Sequence, residues 1–155
     1  MKKAILYTTL SIFTCTAIFS SCRKDDNSSP SPEANAVIQG AVFAELDLSN
    51  SNIERAPFGT KIHALIDPKD VMIDPDTQMV MDKIRITTTV DGSGNFTLNL
   101  RAKNSAVPVT IIADDFIFDQ KLLTAGTSAR KVYTMNAVST TIIAGQTKVN
   151  DLIFN

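Results

Sequence analysis

A single histidine, His63, is the first side chain whose type could perform acid–base or nucleophilic chemistry. A Ser-His-Asp or Cys-His system needs a nucleophile beside that one base and a third group that orients it. Serines and aspartates are present, but none lies in a nucleophile-elbow sequence such as G-x-S-x-G. Because His63 shares a strand face with Lys61, we expect a surface or rim histidine without a catalytic role, in a protein that is not an enzyme.

Four aspartates, Asp67, Asp70, Asp74 and Asp76, cluster in one short stretch with Lys69 between them. Clustered carboxylate oxygens suit calcium, whereas zinc favours several Cys or His ligands, of which the chain has few. Their spacing does not match an EF-hand, and Asp67 and Asp74 each precede a proline, where aspartate commonly begins a turn. We therefore expect no metal or other cofactor, with calcium at these four residues as the open alternative.

Cys22 has distinctive chemistry because Ser20 and Ser21 precede it at the end of an uncharged, mostly apolar run over 4–19. Two N-terminal lysines begin this run as in a secretory signal, and it is shorter than the ~20 residues that a spanning helix needs. The small-small-Cys sequence resembles a lipobox, with Phe19 where an aliphatic residue is usual. The resemblance implies cleavage before Cys22 and acylation of its thiol, which would anchor the mature protein in a membrane.

The residues after Cys22 indicate a tether that leads to the cell exterior. Residues 22–35 are polar and rich in Ser and Pro, without the apolar side chains that would order them. The Arg23–Asp26 stretch resembles the short charged signal that directs lipoproteins of Bacteroidota-type bacteria to the outer face of the outer membrane. We therefore predict a signal peptide at 1–21, a lipidated tether at 22–35 and one domain at 36–155, exposed at the cell surface.

Composition limits the classes of partner and the sources of stability. Removing 21 of the 155 residues leaves 134, which suits one domain, and loss of two lysines leaves 13 basic against 16 acidic residues. A net charge of −3 offers no basic face to phosphates, so nucleic acid is not expected as a partner. One cysteine leaves with the signal and the other takes the lipid, so an apolar core must stabilise the fold without a disulfide.

Alternation of apolar and polar residues predicts strands along the domain. The first strand is predicted at 37–46, with Gly40 as a bulge or a point of close backbone approach. Further strands are predicted at 59–66, 83–90, 95–100, 107–113, 131–138, 140–144 and 148–154, and Asp114-Asp115 interrupts the strand at 107–113 before Phe116–Phe118. About seven short strands separated by turns favour an all-β, antiparallel, Greek-key-like sandwich.

The clearest local pattern lies over residues 83–100. Both arms alternate in polarity on either side of Asp91–Gly94, whose glycines suit a tight turn. We predict that the arms pair with each other as an antiparallel hairpin. The side chains expected to be buried are Ile84, Ile86, Phe96 and Leu98.

Two segments together resemble the carboxypeptidase-regulatory-like domains, which have a transthyretin-like (prealbumin-like) sandwich. Residues 38–42 (IQGAV) are similar to the family's opening strand, and residues 89–98 (TVDGSGNFTL) to its turn-and-strand motif. The strand at 109–113 fits the family's next strand, so the resemblance covers about 37–118 and departs from the family in the acidic insert at 67–78. It implies a fold and an accessory or scaffolding role rather than a catalytic one.

These observations predict a lipid-anchored, non-catalytic protein that binds or scaffolds a protein partner in a surface complex. The alternative is a subunit of an adhesive, fimbria-like assembly, in which an exposed strand edge pairs with a neighbour. A glycan-binding accessory protein is less favoured, because the mature chain has no Trp and keeps one tyrosine, Tyr133, for an aromatic platform. A pocket around His63 with a converging carboxylate would favour a hydrolase instead.

Overall fold

A computed structural model describes residues 34–72 and 80–155. Within these ranges the chain forms eleven strands and one helix of four residues, which is too short to cross a membrane. The strands are β1 (Ala34–Ala44), β2 (Glu54–Arg55), β3 (Lys61–Ile66), β4 (Ile84–Thr89), β5 (Asn95–Ala102), β6 (Val107–Ala113), β7 (Phe116–Lys121), β8 (Ser128–Tyr133), β9 (Val138–Ile142), β10 (Thr147–Val149) and β11 (Leu152–Phe154), and the helix α1 (Pro68–Val71) follows β3. The predicted signal peptide, the lipidation site Cys22 and two calcium candidates, Asp74 and Asp76, lie outside the described residues.

Two sheets and a separate hairpin make up the described fold. In the first sheet, β1 pairs antiparallel with β5 and β2 along one edge and parallel with β10 and β11 along the other. The second sheet has the order β4-β3-β6-β9 and is antiparallel throughout. β7 and β8 pair with each other as a hairpin, and Lys121 at the end of β7 also bridges to Asp47 in the segment after β1. The all-β sandwich is therefore confirmed, with more strands than expected and a parallel contribution from the C-terminal strands.

The core lies between the two sheets and consists of inward-facing alternate residues. Ile38 on β1, Ile62 on β3, Leu98 on β5 and Ile111 on β6 are all almost fully buried. Alternation places them on one face because successive side chains of a strand point to opposite sides. Each such aliphatic side chain contributes roughly 1.5–3 kcal/mol when it is fully buried.

The predicted hairpin over residues 83–100 is wrong. β4 pairs with β3 and β5 pairs with β1, so the two arms belong to different sheets. The turn between them does form, since the Asp91 carboxylate accepts hydrogen bonds from the N–H groups of Ser93 (2.8 Å) and Asn95 (2.9 Å). This turn therefore carries the chain from one sheet to the other.

The two arms lie in different sheets instead of side by side in one sheet. Phe96 and Leu98 are buried as predicted, and Ile86 is partly buried. Ile84, which was expected in the core, is 38% exposed near the end of β4. Alternation identifies the apolar face of each arm, and that face is the same whether the partner is in the same sheet or in the opposite one.

Gly40 is a point of close backbone approach, as predicted. A Cβ atom at this position would lie 1.9 Å from the carbonyl oxygen of Asn150. Asn150 and Asp151 interrupt the pairing of β1 with the C-terminal strands, which keep one register on both sides of the interruption. There the Ala41 N–H donates instead to the Asp151 carboxylate at 2.8 Å. Only glycine leaves room for this arrangement.

Several boundaries differ from the predicted ones. β1 begins at Ala34, two residues before the predicted start of the domain at 36. The strand predicted at 131–138 ends at Tyr133; Thr134 then exchanges backbone hydrogen bonds with Asn155, and the next strand begins at Val138. A short strand, β2, also forms within the segment 47–58 that was interpreted as a loop, because it pairs with the end of β1.

Candidate functional site

His63 lies in the middle of β3, on the outer face of the second sheet. β4 and β6 flank β3 on its two sides, so Thr87 and Ile112 are the cross-strand neighbours of His63. These neighbours leave the histidine only 3% exposed. The prediction of a surface or rim histidine is therefore wrong, because strands distant in sequence cover a position that local alternation placed on the solvent side.

Both ring nitrogens of His63 make hydrogen bonds. Nε2 lies 2.9 Å from the Asp114 carboxylate and Nδ1 lies 2.8 Å from the Thr87 hydroxyl. A carboxylate can only accept, so Nε2 donates, and in the neutral imidazole Nδ1 accepts from the threonine hydroxyl. The hydrogen bond from His63 holds the pKa of Asp114 below its usual value, and Arg85, 3.5 Å away, adds to this effect.

The chain of hydroxyl, imidazole and carboxylate has the order of a catalytic triad, with Thr87 in the place of the nucleophile. A reaction would also need a cavity beside that hydroxyl where a substrate could be held. One groove beside the cluster is lined by Lys61 and Asp114, and neither His63 nor Thr87 contributes to it. The converging carboxylate is thus present, and the hydrogen bonds satisfy a buried polar ring.

Asp67 and Asp70 are the two calcium candidates that the structure describes, and both lie at α1. Asp67 is the N-cap residue: its carboxylate accepts from the Lys69 N–H at 3.0 Å, and Pro68 occupies the first helical position. In residues 34–72 and 80–155, no three Asp, Glu, His or Cys side chains converge where a metal ion could bind. Asp67 therefore caps the start of α1, which is the local role expected of an aspartate that begins a turn before a proline.

An exposed apolar surface surrounds the β7–β8 hairpin. Ile117 and Val132 are cross-strand neighbours and are 55% and 54% exposed. Phe118 is 38% exposed, and Phe58, which comes from the turn between β2 and β3, is 78% exposed. We call Phe58, Ile117, Phe118 and Val132 the hairpin surface.

Aromatic packing fixes one end of the hairpin on the sandwich. The ring of Phe116 stacks on Tyr133 with centroids 5.0 Å apart and meets Phe154 edge-on at 4.9 Å. The Tyr133 hydroxyl and the Gln120 amide both donate to the carbonyl of Glu45, at 2.6 and 2.7 Å. Burial raises the pKa of Tyr133, so its hydroxyl stays protonated and keeps donating.

The other end of the hairpin is fixed at Lys121. Its N–H donates to the carbonyl of Leu46 at 3.0 Å, and its carbonyl accepts from the Leu48 N–H at 2.9 Å. The Lys121 ammonium also lies 2.8 Å from the Asp47 carboxylate. This bond and a second one from Ser49 lower the pKa of Asp47 to about 2. With both ends held, the hairpin keeps its apolar side chains at fixed positions on the surface.

A slot lies between the turn that carries Phe58 and the first residues of β7. Its volume is about 350 Å³, and its walls include Phe58 and Lys61 on one side and Asp115, Ile117 and Phe118 on the other. The walls therefore combine apolar side chains with both signs of charge. We define this space as the β7 slot.

The hairpin surface was not predicted from the sequence, although the residues contain a signal for it. Phe116, Ile117 and Phe118 are three consecutive apolar residues in a strand, so at least one of them must point away from the core. Phe116 packs against the core, whereas Phe118 and Phe58 are exposed. The signal indicates outward apolar side chains, but only the tertiary structure shows that they gather around one slot.

Comparisons of sequence identify no relatives. No protein-family model matches the chain, and none of the curated proteins matches it. The resemblance to carboxypeptidase-regulatory-like domains therefore stays a prediction.

Three solved structures have a similar arrangement of strands at low identity. The minor pilin GBS52 of Streptococcus agalactiae is 9% identical with a TM-score of 0.42, over 78% of this chain and 44% of the pilin. The shaft pilin SpaA of Lactobacillus rhamnosus GG is 15% identical with a TM-score of 0.42, over 78% and 50%. The plantain pollen allergen Pla l 1 is 16% identical with a TM-score of 0.38, over 79% and 95%. The chain thus spans about half the length of either pilin, and likeness at this level carries no conclusion about function.

Proposed function

We propose that this protein is a non-catalytic binding or scaffolding protein, anchored outside the cell by a lipid on Cys22, that docks a protein partner on the hairpin surface. The observation that supports this proposal is the exposure of Phe58, Ile117 and Phe118 around one slot, with the exposed Val132 beside Ile117 on the neighbouring strand. Scattered exposed apolar residues are ordinary on a soluble domain. A contiguous apolar group with charged residues at its rim is instead typical of an interaction site.

The state of the His63 cluster favours binding over catalysis. Thr87 and Asp114 occupy both nitrogens of a ring that is 3% exposed. A general base must come within hydrogen-bond reach of the proton that it abstracts from a substrate or nucleophile. The hydroxyl within reach of His63 is that of Thr87, and neither residue lines the groove beside Asp114.

Photo-crosslinking in intact cells tests the docking surface. A crosslinking amino acid at Ile117 or Val132 should capture a discrete protein partner, because these side chains would be covered in the complex. Ile153 is the matched control, since it is also 55% exposed but lies on β11 in the first sheet. Equal capture from Ile153, or none from either hairpin position, would contradict the proposed docking surface.

The anchor has its own test, which does not depend on the docking surface. Mass spectrometry of the mature N-terminus should show an acylated Cys22, and Cys22→Ala should release or mislocalise the protein. Protease added to intact cells should remove the domain if it faces the exterior. Protection until the outer membrane is broken would place it in the periplasm instead.

A subunit of an adhesive, fimbria-like assembly is the second candidate function, and the edge of β4 favours it. β4 pairs only with β3 among the described strands, and Ile84 on it is 38% exposed. An open strand edge can template pairing with another chain, although a charged residue such as Arg85 on the strand opposes such pairing. Concentration-dependent assembly of purified protein, abolished by Arg85→Pro, would support this function over docking of a different protein.

A further inference from the structure

We infer that the β7 slot takes an extended peptide segment of the partner, which pairs with the open edge of β7 and carries an apolar residue next to a basic one. The apolar side chain would lie against Phe58 and Ile117, and the basic side chain beside Asp115. This inference rests on the proposed docking function and specifies the chemistry of the partner.

The backbone of β7 has an open edge along the slot. Both the N–H and the C=O of Lys121 point away from β8, since they bond to Leu46 and Leu48. In an antiparallel pair, residues alternate between bonding to the partner strand and pointing away from it. Asp119 and Ile117 therefore also direct their backbone groups away from β8, and these groups have no backbone partner on that side among the described residues.

Both ends of this edge are closed, which limits the pairing to a short segment. The Asp114 N–H donates to the carbonyl of Lys61 at 3.0 Å just before β7 begins. At the other end, Lys121 pairs with the chain that continues from β1. Between these points β7 diverges from its neighbours and leaves the slot of about 350 Å³. An added strand would thus form only a few main-chain hydrogen bonds, and its side chains would have to supply the specificity.

Phe58 forms the apolar wall opposite the edge. It lies in the turn Pro57–Thr60, where the Thr60 hydroxyl donates to the Pro57 carbonyl at 2.8 Å and Gly59 adopts a φ of +86°. The turn is therefore held by its own hydrogen bonds, while the ring is 78% exposed. An aromatic ring fixed in this way offers a large apolar contact at a small cost in conformational entropy.

The charges at the slot favour a basic residue in the segment. Asp114 is already engaged by His63 and Arg85, whereas Asp115 has no ion pair with any residue that the structure describes. Asp119 also faces outward from β7, with Arg130 as its cross-strand neighbour on β8. Lys61 lines the opposite wall, away from the edge. An acidic segment would meet Asp115, which lies just before β7, at the edge with which the segment must pair. Like charges placed directly across paired strands are destabilising.

The test uses the purified mature lipoprotein in a non-ionic detergent and two labelled peptides of about eight residues, the length of a typical strand. One peptide alternates Lys with Val, and the other alternates Glu with Val. Fluorescence anisotropy should show binding of the lysine peptide at least about tenfold tighter than the glutamate peptide, a difference of about 1.4 kcal/mol. Hydrogen exchange at the amides of Ile117 and Asp119 should slow when the peptide binds.

Two variants distinguish strand pairing and charge recognition from nonspecific apolar binding of the peptides. Ile117→Pro removes the outward N–H and leaves the β7–β8 ladder intact, so peptide binding should fall about tenfold. Asp115→Lys should reverse the preference between the two peptides, while Asp82→Lys, an exposed carboxylate outside the slot, should leave it unchanged. Asp115→Lys alters only an exposed side chain, so it remains informative even if the proline variant does not fold.

The outcomes distinguish this inference from the docking function on which it rests. Suppose that neither peptide slows hydrogen exchange at the Ile117 amide, and that Val132 still crosslinks its partner with undiminished yield in the Asp115→Lys protein. Strand addition is then overturned, while the docking surface stands. Equal binding of both peptides likewise overturns the basic preference. If Val132 captures no partner in the unaltered protein, the docking function itself is wrong.

Discussion

The His63 cluster, formed by His63, Thr87 and Asp114, and the hairpin surface both have charged neighbours. They differ in whether their groups already have partners within the protein. In the cluster, every nitrogen of a buried imidazole has a partner at 2.8 or 2.9 Å. At the hairpin, the outward backbone groups of Ile117 and Asp119 have no backbone partner among the described residues, and the side chains of Phe58 and Ile117 are exposed. The difference teaches that a side chain with catalytic chemistry can serve the fold, whereas the open residues at the hairpin are the ones that we propose for binding.

The largest expected effect comes from a pair of phenylalanines, one from each kind of environment. Phe96 is 2% exposed in the core and Phe58 is 78% exposed beside the slot. Phe96→Ala should lower the free energy of unfolding by about 3–5 kcal/mol, which could unfold a domain of ordinary stability. Phe58→Ala should change it by no more than about 0.5 kcal/mol. Urea unfolding of both variants measures the contrast, and a large loss for Phe58→Ala would show that its ring supports the fold.

A smaller effect is expected at the His63 cluster. His63→Leu keeps an apolar side chain in the sheet but removes the partner of Thr87 and Asp114, so we expect a loss of about 1–3 kcal/mol. Ile117→Ala is the control on the open side, with an expected change within about 0.5 kcal/mol. Chemical denaturation again measures both. If His63→Leu were as stable as the unaltered protein, the cluster would not serve the fold, and a search for a reaction at Thr87 would be warranted.

The smallest expected effect is a loss of stability at low pH, caused by protonation of a carboxylate in each region. Asp47 has a pKa of about 2 in the folded protein against an ordinary 3.8, and the pKa of Asp114 is also lowered. A group whose pKa is lowered on folding contributes stability above its unfolded value, and this contribution is lost as the pH falls through the folded value. Stability should therefore decline from about pH 4 towards pH 2.

Asparagine variants assign that acid effect to its source. Asp47→Asn should be less stable at neutral pH and should lose less on acidification, because the ion pair with Lys121 is already gone. Asp82→Asn, which alters an exposed carboxylate outside both regions, is the matched control. Thermal unfolding at several pH values measures the slopes, and equal slopes for Asp47→Asn and the unaltered protein would rule out the hairpin ion pair as a source of acid sensitivity.

The sequence by itself determined the apolar face of the main strands and several positions where the chain must turn. Ile62, Phe96 and Leu98 are buried because alternation with a period of two puts one set of side chains on a single face, and this is a local property. Gly40 was recognised as a close approach because glycine in a strand lacks the side chain that other residues would use for packing. The turn at Asp91–Gly94 followed from residues that favour tight turns.

Only the tertiary structure decided which strands pair and which outward residues are covered. β4 and β5 look like the arms of one hairpin, yet they join different sheets, because an alternating strand does not encode its partner. His63 was expected at the surface and is buried, since its hydrogen-bond partners come from segments that follow it by 24 and 51 residues, at Thr87 on β4 and at Asp114 just after β6. The slot beside β7 depends in the same way on a turn and a hairpin brought together from distant segments, a proximity that no local pattern specifies.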